Sequence, residues 1–251
     1  MQQALHHIRA TTAPAVSAPN ILRIVPLEAP SDPRRDYVIE RNGYTVRVAH
    51  TPTQRARADM LVDRMYSWRG YHTEAVTADS QNSSRITFEA SSDPQLFGTL
   101  TLGLDTGERL LADTLYEDEI GPFRRAGRKV CELSKLAVDP RYSSKEMLAS
   151  LIQLAHIHAR IVHKATDAFI EVNPRHAVFY KRMLGFRQIG EVRTCPRVEA
   201  PAVLLHLEIA YMDEQIHKLS GSFDSTERSL YPYFLRNRDV QDSTRLVAQA
   251  A

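Results

Sequence analysis

VCELSKLAVDP (residues 130–140) and DAFIEVNPRHAVFYKRMLGF (residues 167–186) are the stretches on which the fold of this 251-residue chain turns. From Val130 to Val138 the side chains alternate, with Glu132, Ser134, Leu136 and Val138 on one face and Cys131, Leu133, Lys135 and Ala137 on the other, which predicts a strand. A carboxylate, Glu132, therefore stands inside an otherwise apolar element. Past Asp139-Pro140, the positions Leu148, Leu151, Ile152, Ala155, Ala159 and Val162 recur at three and four residues, the pattern of a helix with one face laid on a sheet. DAFIEV reads as a short buried strand. Asn173 can cap a following helix, Pro174 fits its first turn, and Gly185 stops it. Two strands joined by a long helix make a parallel pair with a right-handed crossover. That order sets Glu132 and Tyr180, on the last helix, where they could meet.

Composition bounds the rest. With 43% hydrophobic and 25% charged residues, the chain is an ordinary soluble globular protein, best read as one substantial domain with appendages. Lys+Arg 32 against Asp+Glu 30 gives no basic field, so nucleic acid is not an expected partner. Two cysteines, Cys131 in a strand and Cys195 in a loop, are too few for a disulfide framework, and a reducing, cytoplasmic setting fits. No apolar run approaches the ~18 residues of a membrane span, and the N-terminus lacks the layout of a signal peptide. Residues 1–35, rich in Ala, Pro, Thr and Ser, read as a disordered leader, 36–212 as the main folded domain, and 213–251 as a C-terminal helical extension and tail.

Within the domain, Tyr44 to Ala49 alternates as a strand, and Thr51-Pro52 opens a helix running to about Tyr66. The segment Tyr66-Ser-Trp-Arg-Gly-Tyr71 reads as a packed corner or, alternatively, as a loop covering a substrate with Trp68 and Tyr71. Arg85 to Ala90 and Leu96 to Leu104, separated by SSDP, form a hairpin. From Asp105 to Arg128 periodicity breaks down, which predicts a solvated loop; its basic cluster, Arg124, Arg125, Arg128 and Lys129, is the alternative docking surface for an acidic protein. Phe186 to Val192 and Ala202 to Ile209 read as the last strands, joined by a shaped loop, with a short helix at Met212 to Leu219 and an apolar patch, Leu230 to Leu235, expected to pack on the core. His156, His158 and His163 do not match the spacing of helical zinc ligands and are read as surface or helix-contact residues, with no metal expected.

FYKRMLGF, ELSKLAVDP, NPRH and RVEAPAVLLHLEI together resemble the long-chain N-acyl amino acid synthases (FeeM-like) of the GNAT acyltransferase superfamily, which are similar in turn to the acyl-homoserine-lactone synthases. The resemblance covers roughly Tyr44 to Ala210. It implies an α/β (α+β) GNAT fold, a central mixed, mostly antiparallel twisted sheet with a parallel pair formed by the family's fourth and fifth strands, flanked by helices. It further implies transfer of a long-chain acyl group from an acyl carrier protein thioester to the amine of an amino acid, without a cofactor.

Acyl transfer from a thioester to an amine needs a neutral amine, a stabilised oxyanion and a proton for the leaving thiolate. Glu132, its pKa raised by burial, is the candidate base and Tyr180 the candidate acid. The family pattern carries Ser134 and Lys135 into the site after Glu132, offers a backbone N–H near Val138 for the oxyanion, and brings Asn173, Arg175 and His176 to the pocket. The turn after Asp139 lacks the glycines with which related CoA enzymes cradle a pyrophosphate. Ser143, Ser144 and the helix N-terminus suit the single phosphodiester of a carrier-bound phosphopantetheine, which favours acyl carrier protein over CoA. The product, a lipid, allows peripheral membrane association. The other readings are an acyl-homoserine-lactone synthase, a CoA-dependent N-acetyltransferase, and a catalytically silent GNAT-like binding module.

Overall fold

The computed structural model describes residues 21–26, 35–41, 43–71 and 84–236. Most of the expected leader lies outside these residues, as do 237–251, but Ile21–Pro26 within it is a strand, β1, antiparallel to β2 (Arg35–Arg41). Then come β3 (Tyr44–Val48), α1 (Pro52–Ser67), β4 (Arg85–Ser92), β5 (Gln95–Leu104), α2 (Asp113–Arg125), β6 (Val130–Val138), α3 (Lys145–Ile157), β7 (Asp167–Val172), α4 (Pro174–Leu184), β8 (Arg187–Gln188), β9 (Arg193–Cys195), β10 (Ala200–Glu208) and α5 (Ile209–Leu219). The sheet order is β1-β2-β3-β4-β5-β6-β7-β10-β8, with β9 on β10. All these neighbours are antiparallel except β6 and β7, the expected parallel pair, which stand sixth and seventh in chain order.

Local chemistry explains the helices that place the site. Thr51 and Gln54 form a reciprocal cap on α1, the Thr51 hydroxyl accepting from the Gln54 N–H and the Gln54 side chain from the Thr51 N–H. Ser144 caps α3 by accepting from the Met147 N–H at 3.1 Å. From Met147 to Ala155 α3 is buried, and Leu151 and Leu154 contribute about 1.5–3 kcal/mol each on removal from water. Asn173 caps α4 and Gly185 ends it at φ 84°, where a Cβ would also lie 2.4 Å from the Tyr211 ring.

Five sequence expectations need correction. The stretch expected to be a loop, from Asp105 to Arg128, contains α2, whose Tyr116 and Ile120 are fully buried. Half of its basic cluster is engaged within the fold, Arg124 clamping Asp105 and Asp113 and Arg128 clamping Asp167, while Arg125 and Lys129 stay exposed. The strand expected from Phe186 to Val192 is only β8, since Gly190 turns tightly against Tyr116 and Leu204. His158 is buried between the Tyr37 and Phe88 rings, whereas His156 pairs with Asp213 on α5. Finally, the alternation along β6 slips at a bulge, where Lys135 and Leu136 both oppose Leu100 and Lys135 takes a left-handed φ of 52°. The C-terminal patch does pack on the core, with Leu230 and Tyr231 buried and Gln153 bonded to the Leu235 backbone through both its amide atoms.

Candidate active site

β6 and β7 are hydrogen-bonded only from Val130 to Glu132 against Asp167 to Phe169. Beyond that point they splay, and a cleft of about 180 Å³ opens between Leu133–Val138 and Ile170–Asn173, closed at one end by the β9–β10 hairpin. The bulge at Lys135 turns β6 away from β7 as the strands part, so backbone N–H groups of this stretch have no ladder partner on β7.

Sheet alternation gives the cleft two sides. Phe169 packs with Leu110, Ala112 and Tyr116 on the α2 side, and Glu132 and Glu171 share that side. Ile170 packs with Leu148, Tyr180 and Leu184 on the side of α3 and α4.

Glu132 is 2% exposed and held by three donors: Oε1 accepts from Arg85 Nη1 at 2.9 Å and the Leu111 N–H at 2.7 Å, and Oε2 from the Ala112 N–H at 3.0 Å. Of roughly four lone-pair sites on a carboxylate, one on Oε2 is thus left over. Burial raises its pKa, with the Leu111 and Ala112 N–H groups and Arg85 acting against it. Gly103 makes room for the pair: a Cβ there would lie 2.9 Å from Glu132 Cγ and 3.1 Å from Arg85 Nη1. Tyr180, across the cleft, is buried, and burial with the Tyr66 phenol beside it pushes its hydroxyl well above its ordinary value. Glu132 and Tyr180 line one cleft without bonding each other.

The other expected residues divide. Tyr71, Ser134, Lys135, Val138, Ser143, Asn173 and His176 line the cleft. Lys135 points its ammonium to Asp59 on α1, at 3.8 Å, and serves as the bulge residue. Arg175 stands behind the wall, donating to the Tyr71 hydroxyl at 2.5 Å and to His176 Nε2 at 3.3 Å. His176 is neutral, its pKa pushed down by burial and by the neighbouring Arg175 and Arg69 guanidiniums. Ser144 spends its hydroxyl on the helix cap. Trp68 does not reach the cleft: it is 58% exposed and stacked under Arg69. The glycine-free turn is built around buried Asp139, which accepts from Arg141 and Arg64 and so gathers two guanidiniums near the start of α3.

Sequence reasoning missed three charged cleft residues, Arg69, Glu171 and Arg197. Glu171 was legible by the argument used for Glu132, a carboxylate inside an apolar strand; Arg197, in a loop, carried no signal. Among the described residues no group of three or more His, Cys, Asp or Glu side chains is arranged to hold a metal ion, and no helix is long and apolar enough to cross a membrane.

The N-acyl amino acid synthase FeeM family model matches residues 57–208. The structure of FeeM, an N-acyl amino acid synthase from uncultured soil microbes, superposes with a TM-score of 0.63 at 28% identity, covering 68% of this chain and 93% of that one. An acyl-CoA N-acyltransferase from Pseudomonas aeruginosa aligns at 16% identity and a TM-score of 0.47, over 65% of this chain and 97% of that one. The AHL synthase LasI aligns at 12% identity and a TM-score of 0.47, over 66% and 90%. Comparison with curated proteins finds no match.

Proposed function

The chain belongs to the N-acyl amino acid synthase FeeM family and is an acyltransferase of GNAT fold, and from that premise we propose that it moves a long-chain fatty acyl group from an acyl carrier protein thioester to the amine of an amino acid. The observation that carries this reading is the splayed β6/β7 cleft, with Glu132 on one side, Tyr180 on the other, and a wall that includes Leu100, Leu148, Ile152, Ile170 and Leu184. Such a wall suits an acyl chain, which gains about 0.8 kcal/mol per buried CH₂.

In this reading the thioester lies along the α3 and α4 side and the amine arrives from the α2 side. The amine nitrogen attacks the carbonyl carbon and its proton passes to Glu132, whose three fixed donors hold the carboxylate in one orientation. The carbonyl electrons move to oxygen, facing backbone N–H groups of β6 near Val138, beyond the end of the β7 ladder. When they return, the C–S bond breaks and sulfur takes the Tyr180 hydroxyl proton, which burial keeps in place until the thiolate forms. Glu132 gives up its proton through water and Tyr180 is reprotonated, leaving an amide and a free thiol.

Arg64 and Arg141, gathered by Asp139 beside Ser143 and the α3 N-terminus, support an anionic phosphodiester there. Acyl carrier protein as donor in turn favours a cytoplasmic enzyme. The test is turnover of the same long acyl chain on acyl carrier protein and on CoA, with the twenty amino acids as acceptors and products weighed by mass spectrometry. Higher kcat/KM with the carrier thioester is expected. Equal values would overturn the donor assignment, and absence of any N-acyl amino acid would overturn the reading itself.

A further inference from the structure

Three buried side-chain atoms lining the cleft have no hydrogen-bond partner: Ser134 Oγ, Arg69 Nε and Glu171 Oε2. Arg69 Nε can only donate and Ser134 is a neutral hydroxyl, so Glu171 alone among these presents an anionic acceptor. Its side chain is 10% exposed. A buried carboxylate oxygen without a donor is costly, and such a cost is retained where a ligand removes it.

The carboxylate is also aimed. Oε1 accepts from Arg197 Nη2 at 2.7 Å, and Arg197 is itself fixed by donating through Nη1 to the Leu111 carbonyl at 2.8 Å and the Thr114 hydroxyl at 3.3 Å. Leu111 is the same residue whose N–H holds Glu132, so one backbone segment sets both carboxylates on the α2 side. The Cys195 thiol lies against Glu171 and stays protonated, burial and the carboxylate pushing it up to about 11. A thiol is a weak donor, and Oε2 itself has no hydrogen-bond partner.

Building on the function proposed above, we propose that Glu171 is the residue that holds the acceptor's amine: its Oε2 binds the incoming ammonium, and Glu132, on the same side of the sheet, takes the proton whose loss frees the nitrogen lone pair, passes it to water, and then takes the second proton, which leaves nitrogen once the C–N bond has formed. Binding and deprotonation are thereby divided between two carboxylates on neighbouring strands. The class of acceptor follows as a cationic amine, with neutral hydroxy analogues discriminated against.

The experiment compares equilibrium binding of the best amino acid acceptor and of its 2-hydroxy acid analogue to wild type, Glu171→Gln and Glu171→Asp. Gln keeps an oxygen for Arg197 and puts an NH₂ donor where Oε2 stood, removing both the charge and the acceptor. The expected result is that Glu171→Gln weakens the amino acid about 10- to 100-fold, leaves the hydroxy acid within about twofold, and raises KM for the amine with KM for the acyl donor unchanged. Glu171→Asp should retain part of the preference, and it supplies the reading if the Gln variant fails to fold. Equal weakening of both ligands, or none, overturns the assignment while wild-type product formation leaves the proposed function standing. A wild type that prefers the amine yet makes no N-acyl amino acid overturns the function and leaves Glu171 as the amine site.

Discussion

The same two strands behave differently at their two ends. At the start of β6 and β7 the backbones are paired, and Asp167, fully buried, has its oxygens taken by Arg128 at 2.5 and 2.8 Å, His206 at 2.7 Å and Thr166 at 2.6 Å. At the far end the backbones part, and Ser134, Glu171 and Arg69 bring polar atoms to the gap with nothing to bond. The closed end is satisfied and holds the sheet together. The open end keeps its unmet demand for a substrate. Glu132 sits at the boundary, paired in the ladder with Phe169 and yet lining the cleft.

The largest effect expected from breaking this contrast is at the closed end. Asp167→Ala leaves Arg128 and His206 without their carboxylate and should cost about 3–5 kcal/mol of stability, measured by denaturant unfolding, with the surviving folded enzyme turning over near the wild-type rate. Burial alone would raise the Asp167 pKa, but hydrogen bonds from His206, Arg128 and Thr166 outweigh it and hold the carboxyl at about 2, against an ordinary 3.8. A carboxyl lowered on folding stabilises fully above its unfolded value. That contribution should therefore be whole above about pH 4 and fade toward pH 2, an acid limb that Asp167→Ala should lose.

At the open end the pattern reverses. Tyr180→Phe removes a hydroxyl from a ring that still packs against Phe179 and Phe186. Turnover should fall about 100-fold, the lower end of lost general-acid catalysis, with unfolding unchanged; unaltered turnover would make Tyr180 a packing residue. Gly103→Ala works at the boundary, pressing a methyl into Glu132 and Arg85. It should cost about 1–3 kcal/mol and lower kcat together with stability, so a loss of stability with intact kcat would separate Glu132's position from catalysis.

Much of this was legible because strong local signals agreed. The strand around Glu132, the α3 stripe from Leu148 to Ala155, the Asn173-Pro174 start and the Gly185 stop fall where periodicity and capping put them, whereas Val162, expected on the same stripe, lies past the end of α3 and is exposed. The bulge at Lys135 was invisible, since any residue can be forced into it by the partner strand's register. α2 was missed because Gly121 and Pro122 and a run of charges obscure the spacing of Tyr116, Ile120 and Phe123, and tertiary packing overrides propensity there. Trp68 was misplaced because an aromatic beside a helix end reads as a pocket wall whether it faces the cleft or, as here, solvent. The site's pairing of Glu171 with Arg197 joins residues of β7 and the β9–β10 hairpin that only the fold brings together.

The central claim, that the boundary carboxylate is the base, is tested most directly by the pH dependence of kcat/KM for Glu132→Gln beside wild type. Wild-type activity should fall toward acid through a Glu132 pKa raised above 4.5 by burial. The variant should lose about 10² to 10⁴ in turnover at neutral pH, lack that limb, and recover part of its rate as pH rises and the free amine fraction grows. A Glu132→Gln enzyme that keeps the wild-type profile, or that loses stability with no loss of rate in the folded fraction, would contradict the account.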